Sequence, residues 1–592
     1  MRHRITARCG FYVLGTVLAF PVIAQTRPDF TPPSATPPAS RPGTSDDSSQ
    51  EFIRQQERER ILRQQQEQRP DVRLPAGAAL KQAARLPSGE TPCFAIRTLA
   101  LAGEAAGQFQ WALAAAGRDE DGQADPVTGR CVGTEGINLA MRRVQNAIMN
   151  RGYVTTRVLA APQDLSSGTL TLSLLPGRIR AVRPAPGTSS RTTLWNAMAA
   201  GPGDLLNVRD TEQALENFKR VPSADADIQI APAEGADARP GESDLVVQWK
   251  QGVPFRLSLS LDDSGSDSTG KYQGGVTLSY DNWWTLNDLF YLSLNSNVGG
   301  GGSGPHGTRG VVAHYSLPLG YWLLSATTSD SGYHQSVAGI NQDYHYSGAS
   351  QNSEIKLSRL VYRDAVRKTS VSLRGWKRSS QNFIDDTEVE VQRRRVAGWE
   401  AGLGHREFMG RATLDANLQY RRGSGAFDAM AAPEEAFGEG TSRFVLLLAD
   451  ASLGAPLDVG PLKLRYAGAW RWQHNRTPLV PQDRFAIGGR YTVRGYDGES
   501  SLSAERGWLL RNELGAPLGD SGHELYGGID HGEVAGPGSA LLVAHRLTGM
   551  FVGLRGQLMR LQYDVFIGRP WHKPDLFRSA PSTAGFNLNA SF

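Results

Sequence analysis

Few residues in this 592-residue chain have the types and spacing that chemistry requires. Gly519-Asp520-Ser521-Gly522 places a serine between glycines, as a hydrolytic nucleophile often sits, but a nucleophile of that kind needs a histidine base and a carboxylate to orient it. The stretch runs on into His523-Glu524, no upstream segment has the form of a histidine-base motif, and the composition reads as a turn. His523-Glu524 also lacks the second histidine that a zinc-bound water would need. Gly299 to Gly304 is glycine-rich, yet no Gly-Lys-Ser/Thr follows to hold a phosphate. The 11 histidines are otherwise scattered. The expectation is a chain with no catalytic residue, metal site or cofactor, and therefore no enzyme.

Two cysteines carry the remaining chemistry. Arg2, Arg4 and Arg8, the apolar run Phe11 to Ile23 and the small-residue stop at Ala24 read as a secretory leader over residues 1–24, whose removal would take Cys9 with it. Cys93 and Cys131 then remain, an even number in an oxidising compartment, and read as a disulfide. Buried free thiols or a metal pair are the alternatives, the metal disfavoured because no histidine pair lies nearby.

The elements around these residues divide the chain. A Pro/Ser/Thr-rich segment, expected to be disordered, covers 25–47. Ser48 with Glu51 resembles a capping box, and a polar helix of Gln, Glu and Arg follows over 48–69. Its apolar residues, Phe52, Ile53, Ile61 and Leu62, are too few for a core-facing stripe, so it belongs in solvent or in a polar channel. Pro70 ends it, and 70–91 reads as a linker. Two small α/β units follow, over 92–176 and 177–252. The first has strands at Phe94 to Leu99, Tyr153 to Leu159 and Thr169 to Leu175, and helices at Glu104 to Ala116 and along Ile137, Met141, Val144 and Ile148. The second has helices at Thr192 to Ala200 and Asn207 to Arg220, and strands at Ile179 to Val182, Ala226 to Ile230 and Leu245 to Trp249.

From residue 253 to the end the helical period is gone. Phe255, Leu257, Leu259 and Leu261 alternate with polar residues, and the same pattern recurs between turns through Ser353 to Tyr362, Thr369 to Lys377, Ala412 to Tyr420 and on to Phe592. Roughly 14 to 18 membrane-spanning strands of ordinary length fit this stretch. Aromatic clusters (Trp283-Trp284, Tyr321-Trp322, Trp470 and Trp472) suit a bilayer interface, and the ending Phe586, Leu588, Ala590, Phe592 suits the last strand of an outer-membrane barrel. A soluble sandwich or propeller would explain neither the leader nor the girdle. With 66 glycines and a net charge of +4 the composition is turn-rich and nearly balanced, which gives no case for nucleic acid.

Several segments carry a more specific resemblance. Phe485 to Tyr496 contains Val493-Arg494-Gly495-Tyr496, and Leu525-Tyr526-Gly527-Gly528-Ile529-Asp530-His531-Gly532 follows as a barrel-wall motif centred on an aspartate. Asn207-Val208-Arg209-Asp210-Thr211-Glu212-Gln213-Ala214-Leu215-Glu216-Asn217 and Pro240-Gly241-Glu242-Ser243 lie in the second small unit. Together they resemble, from about residue 45 to the end, the TpsB family of two-partner secretion outer-membrane transporters, the ShlB/FhaC/HecB-type haemolysin secretion/activation proteins.

That resemblance implies sixteen strands, two periplasmic POTRA domains and a helix that plugs the pore. It implies that the VRGY segment tips a long extracellular loop folded into the lumen, where Arg494 pairs with Asp530 on a wall marked by Gly528 and Gly532. It also implies that the POTRA domains, with Asn207, Arg209, Asp210 and Gln213 as candidate contacts, recognise an unfolded secreted TpsA-type partner, an adhesin, haemolysin or toxin. Outer-membrane lipid and lipopolysaccharide would surround the barrel. The rival reading is a related insertase that folds barrel proteins into the membrane; two POTRA domains and a plug helix favour export.

Overall fold

The computed structural model of the chain describes residues 45–67, 70–75 and 85–592. The expected leader, residues 1–24, and the segment on to residue 44 lie outside the described residues. The polar helix spans Ser45–Gln66, so it begins before Ser48, and the supposed capping pair lies inside it. Glu51 does not cap: it binds Arg58 and Arg54 of its own helix and accepts from the Thr269 hydroxyl at 3.0 Å.

In the first α/β unit, a three-stranded sheet orders Thr98–Ala102, Thr169–Leu175 and Arg157–Leu159, with the helix Thr134–Asn150 packed on it through Leu139, Val144 and Ile148. A two-stranded ribbon pairs Phe94–Ile96 with Arg130–Val132, and the Cys93–Cys131 disulfide ties its end. Glu104 to Ala116 is not one helix: a single turn, Ala106–Phe109, passes into a 3-10 helix over Gln110–Gly117. The tighter winding sets the small residues Ala112 and Ala116 in the core beside the longer helix.

The second unit has the sheet order Arg178–Pro184, Glu242–Gln251, Ala224–Pro232 under the helix Val208–Phe218. Thr192 to Ala200, expected as a helix, is a run of turns. Its polar groups are committed elsewhere: Asn196 Nδ2 donates to the Leu286 carbonyl, and Asn287 Nδ2 donates to the Thr193 carbonyl at 2.9 Å. Local helix formation lost to tertiary hydrogen bonds.

Sixteen antiparallel strands then close a barrel, from Phe255–Asp262 to Thr583–Ser591. The first and last strands pair from Asp262↔Asn587 to Ser258↔Ser591, and Leu257 and Phe592 exchange backbone hydrogen bonds. Phe592 therefore helps seal the seam, and among the described residues the barrel sheet closes on itself. The eighth strand, Arg394–Met409, is not legible in the alternation: its sequence, RRVAGWEAGLGHREFM, puts glycines on the lumen phase and the polar Arg395, His405 and Glu407 on the outward one. Outward positions such as Leu259, Val276, Ile355, Leu373, Ile529 and Ile567 are exposed, which is the apolar belt a bilayer covers. Trp283, Trp284 and Trp322 ring its periplasmic end.

Candidate functional site

The loop 476–505, between the eleventh strand, Leu462–Asn475, and the twelfth, Arg506–Pro517, bends back into the lumen. A short hairpin, Phe485–Ile487 paired with Leu502–Ala504, stiffens it, and Val493 and Tyr496 bury against Leu509, Val534, Leu547 and Phe577. The loop can touch the wall because the wall is stripped of side chains there. A Cβ on Gly549 would stand 2.0 Å from the Arg494 carbonyl oxygen, one on Gly568 3.0 Å from Gly495 Cα, and one on Gly532 3.0 Å from Ile487. Gly495 has φ +110°, and a Cβ there would come within 2.5 Å of the Arg569 carbonyl. Only glycine satisfies both the backbone and the approach.

On this surface Arg494 forks onto Asp530. Its Nε donates to Oδ2 at 2.7 Å and its Nη2 to Oδ1 at 3.0 Å, while its backbone N–H also donates to Oδ2 at 3.0 Å. Nη1 donates to Glu513 at 2.8 Å, and the guanidinium lies 3.5 Å from the centre of the Phe551 ring. Asp530 is fully buried. A planar donor fork against a desolvated carboxylate is strong and directional, so it fixes a loop rather than merely attracting it. Arg511 stands second in line, its Nε 3.6 Å from Asp530. The Tyr496 hydroxyl finishes the motif by donating to the His572 carbonyl at 2.8 Å. Gly528, also on the thirteenth strand, His523–Ala535, sits where a Cβ would meet the Asn512 carbonyl at 1.9 Å.

The Ser45–Gln66 helix threads the lumen beside this loop, and its polar residues find partners there. Arg54 donates to the Gly498 carbonyl at 3.1 Å, which joins the helix to the loop. Glu57 pairs with Arg471 at 2.7 Å, and Arg63 with Glu354 at 2.5 Å. Among the described residues Leu62 is the helix's one contribution to an apolar core, packing beside Val221, Leu289, Tyr291 and Val312, and Phe52 lies 4.9 Å from the Arg378 guanidinium. The Arg63 contact begins a ladder across the wall: Arg374 bridges Glu354 and Glu400, and Arg421 also donates to Glu400. Sequence reasoning missed this ladder, although the signal was there, in charges on the polar phase of consecutive strands.

Beneath the pore, the Val208–Phe218 helix docks on the barrel's periplasmic turns. Asn207 caps the helix, its Oδ1 accepting from the Arg209 N–H at 2.9 Å, and Arg209 pairs with Glu212. Asp210 accepts from the Tyr321 hydroxyl, Gln213 accepts from Arg363 at 3.2 Å, and Asn217 donates to the Gly320 carbonyl at 2.8 Å. The four residues expected to contact a substrate are thus occupied within the chain, in the helix cap and the barrel junction. Arg363, unnoticed in the sequence, is the centre of that junction: it binds Glu212, Glu216 and the Val72 carbonyl, each at 2.7 to 2.9 Å. Burial and the neighbouring Asp204 raise the Asp210 carboxyl, and the Tyr321 hydrogen bond only partly offsets them.

A closed lipid-facing barrel, a lumen filled by a polar helix and a docked loop, and two small α/β domains below it define an outer-membrane transporter of the polypeptide-secreting class. Comparison with known proteins agrees. The family described as "Haemolysin secretion/activation protein ShlB/FhaC/HecB" matches residues 241–556, and two POTRA descriptions match 116–177 and 178–232. The "Outer membrane transporter CdiB-2" of Burkholderia pseudomallei is 36% identical over 523 residues, covering 85% of this chain and 87% of that one. The "Hemolysin transporter protein ShlB" of Serratia marcescens is 24% identical over 387 residues, covering 65% of this chain and 67% of that one. The solved structure of CdiB from Acinetobacter baumannii superposes with a TM-score of 0.80 at 29% identity, covering 93% of this chain and all of that one. The chain belongs to the ShlB/FhaC/HecB family of two-partner secretion transporters, with its barrel in the outer membrane and its POTRA domains in the periplasm.

Proposed function

We propose that the structure is the resting state of a pore whose two obstructions, the Ser45–Gln66 helix and the loop held by Arg494 and Asp530, yield when a secreted partner arrives from the periplasm. The partner enters unfolded, an adhesin, haemolysin or toxin, and folds outside; no catalytic step and no cofactor are assigned to the chain. First contact falls to a sheet edge such as Arg178–Pro184, over residues 180–184 beyond its bridge to Leu205, where backbone pairing can accept an extended segment. Asp210 and Gln213 hold the second POTRA domain under the pore, while Asn207 and Arg209 set the start of the helix that carries them, so arrival there would be felt at Arg363 and at the linker beside it. Outer-leaflet lipid and lipopolysaccharide cover the apolar belt.

The observation that carries this reading is the kind of contact the helix makes. Most of its links to the wall are hydrogen bonds and ion pairs, which water can replace; among the described residues Leu62 alone joins an apolar core, and Phe52 lies 4.9 Å from the Arg378 guanidinium. Such a plug is held in register yet can leave. The test is a cross-link between Gln55→Cys and Gly310→Cys, neighbours in the lumen. Export of a co-expressed partner should stop when the pair is oxidised and return on reduction, while the parent chain exports under both conditions. Export through the oxidised, fully cross-linked protein would refute a plug that leaves.

A further inference from the structure

At the extracellular rim, on the outer face of the barrel, the eleventh to fifteenth strands enclose an open cavity of about 690 Å³. Its wall is chemically unlike the apolar belt below it. Trp472 and His474 come from the eleventh strand, Arg506 and Trp508 from the twelfth, Arg546 begins the fourteenth strand, Arg546–Leu558, and His572 ends the fifteenth, Leu561–His572. The strand phase puts these side chains outside. Arg471, Leu509, Asp530 and Leu547 face the lumen, so their neighbours one residue away face the membrane.

The charge is one-sided. Glu533 is the acidic member, and its carboxylate accepts from Trp508 Nε1 at 3.2 Å and lies 3.3 Å from His531 Nε2. It stands opposite Arg546 in the register but forms no ion pair with it among the described residues. Arg506 makes a neutral hydrogen bond to Asn475 at 2.7 Å. Two guanidiniums therefore reach the outer-leaflet headgroup level with no carboxylate partner among the described residues. At that level an exposed arginine costs little to hold and stands ready for an anionic headgroup. Beside them, the Trp472 and His474 rings stack with centroids 5.7 Å apart, and Trp508 meets His531 at 5.2 Å. Such flat faces suit sugar rings and the upper acyl chain.

We infer that this cavity is a binding site for one phosphorylated glycolipid of the outer leaflet, with Arg506 and Arg546 taking the headgroup phosphate and Trp472 and Trp508 lying against its sugar. Arginine presents donors in a fork that matches phosphate oxygens, and the volume lies within the roughly 300–1,000 Å³ typical of ligand sites. This rests on the placement of the barrel in an outer membrane. The site also abuts the loop lock, since the His572 carbonyl is the acceptor for Tyr496.

The test is thermophoretic titration of the full chain, in detergent micelles, with diphosphoryl lipid A, its dephosphorylated form and inorganic phosphate. Lipid A should bind saturably. The Arg506→Ala/Arg546→Ala variant should weaken it by roughly tenfold or more, the size expected for losing charge-assisted hydrogen bonds. Arg546→Ala alone, which removes no side-chain hydrogen bond or ion pair among the described residues, should give part of that loss, and Arg359→Ala, at the periplasmic end, none. Equal binding by the parent and the double variant, or by lipid A and its dephosphorylated form, would overturn the inference. Displacement by millimolar inorganic phosphate would show a simple anion site instead. Failure here leaves the pore and its plug untouched, because neither arm measures transport.

Discussion

Arg494→Ala is the sharpest perturbation of the loop lock. It removes two donors from Asp530 and one from Glu513, and leaves Asp530 buried with only the Arg494 backbone N–H and the more distant Arg511. Breaking a buried ion pair from one side costs about 3–5 kcal/mol. Arg555 still donates to Glu513 at 2.5 Å and Arg511 can move toward Asp530, so the lower end applies. About 3 kcal/mol lowers the ratio of docked to undocked loop by roughly 100-fold. Arg494→Lys keeps the charge and loses the fork, and should fall between. Hydrogen exchange over residues 488–504 in micelles reads the ratio directly, and export of the partner should drop while barrel assembly is normal. Asp530→Ala should act alike, and the double variant should be far less than additive. Loop exchange and export unchanged in Arg494→Ala would refute the lock.

Three further outcomes follow from other parts of the chain. Arg363→Ala removes the cation that Glu212 and Glu216 share with the barrel, leaving Glu212 with Arg209 and Glu216 with Lys368, so the second POTRA domain should loosen by about 3 kcal/mol; limited proteolysis near residue 252 should accelerate, and an unchanged cleavage rate would count against the junction. Cys93→Ser with Cys131→Ser opens a cross-link spanning 38 residues and should destabilise the first domain by about 2–5 kcal/mol, read as faster exchange over 94–175. Burial alone would raise the Asp125 carboxyl, but hydrogen bonds from Arg143 and the Leu86 N–H, with the charges of Arg143 and Arg130, hold it below its ordinary value. Its contribution is therefore complete above the unfolded-state value and is lost as pH falls through the depressed folded one; Asp125→Asn should flatten that acid dependence in the same exchange measurement.

The barrel was legible because a lipid-facing wall forces a period of two, and Leu257, Leu259 and Leu261 display it without interference. The eighth strand was hidden because its outward phase mixes Trp399 and Leu403 with Arg395, His405 and Glu407, while Gly398, Gly402 and Gly404 thin the polar phase, so the two faces contrast too little to show a period of two. The helix expected at Thr192 to Ala200 failed for a tertiary reason: Asn196 and the Thr193 carbonyl serve a barrel turn distant in sequence. Arg494 and Asp530 could be paired only through family resemblance, since nothing in composition says that residue 494 reaches the wall beside residue 530. The glycines that permit that approach, Gly532, Gly549 and Gly568, sit on three strands and mean nothing until the sheet is closed. Arg363 was invisible for the same reason, its partners lying in a different domain.

A lumen closed by a removable helix should conduct freely once that helix is gone. Single-channel conductance in planar bilayers measures this, comparing the whole chain with one lacking residues 45–67. The whole chain should show a small, mostly closed conductance and the deletion a larger, steady one. Equal conductance in the two would contradict it.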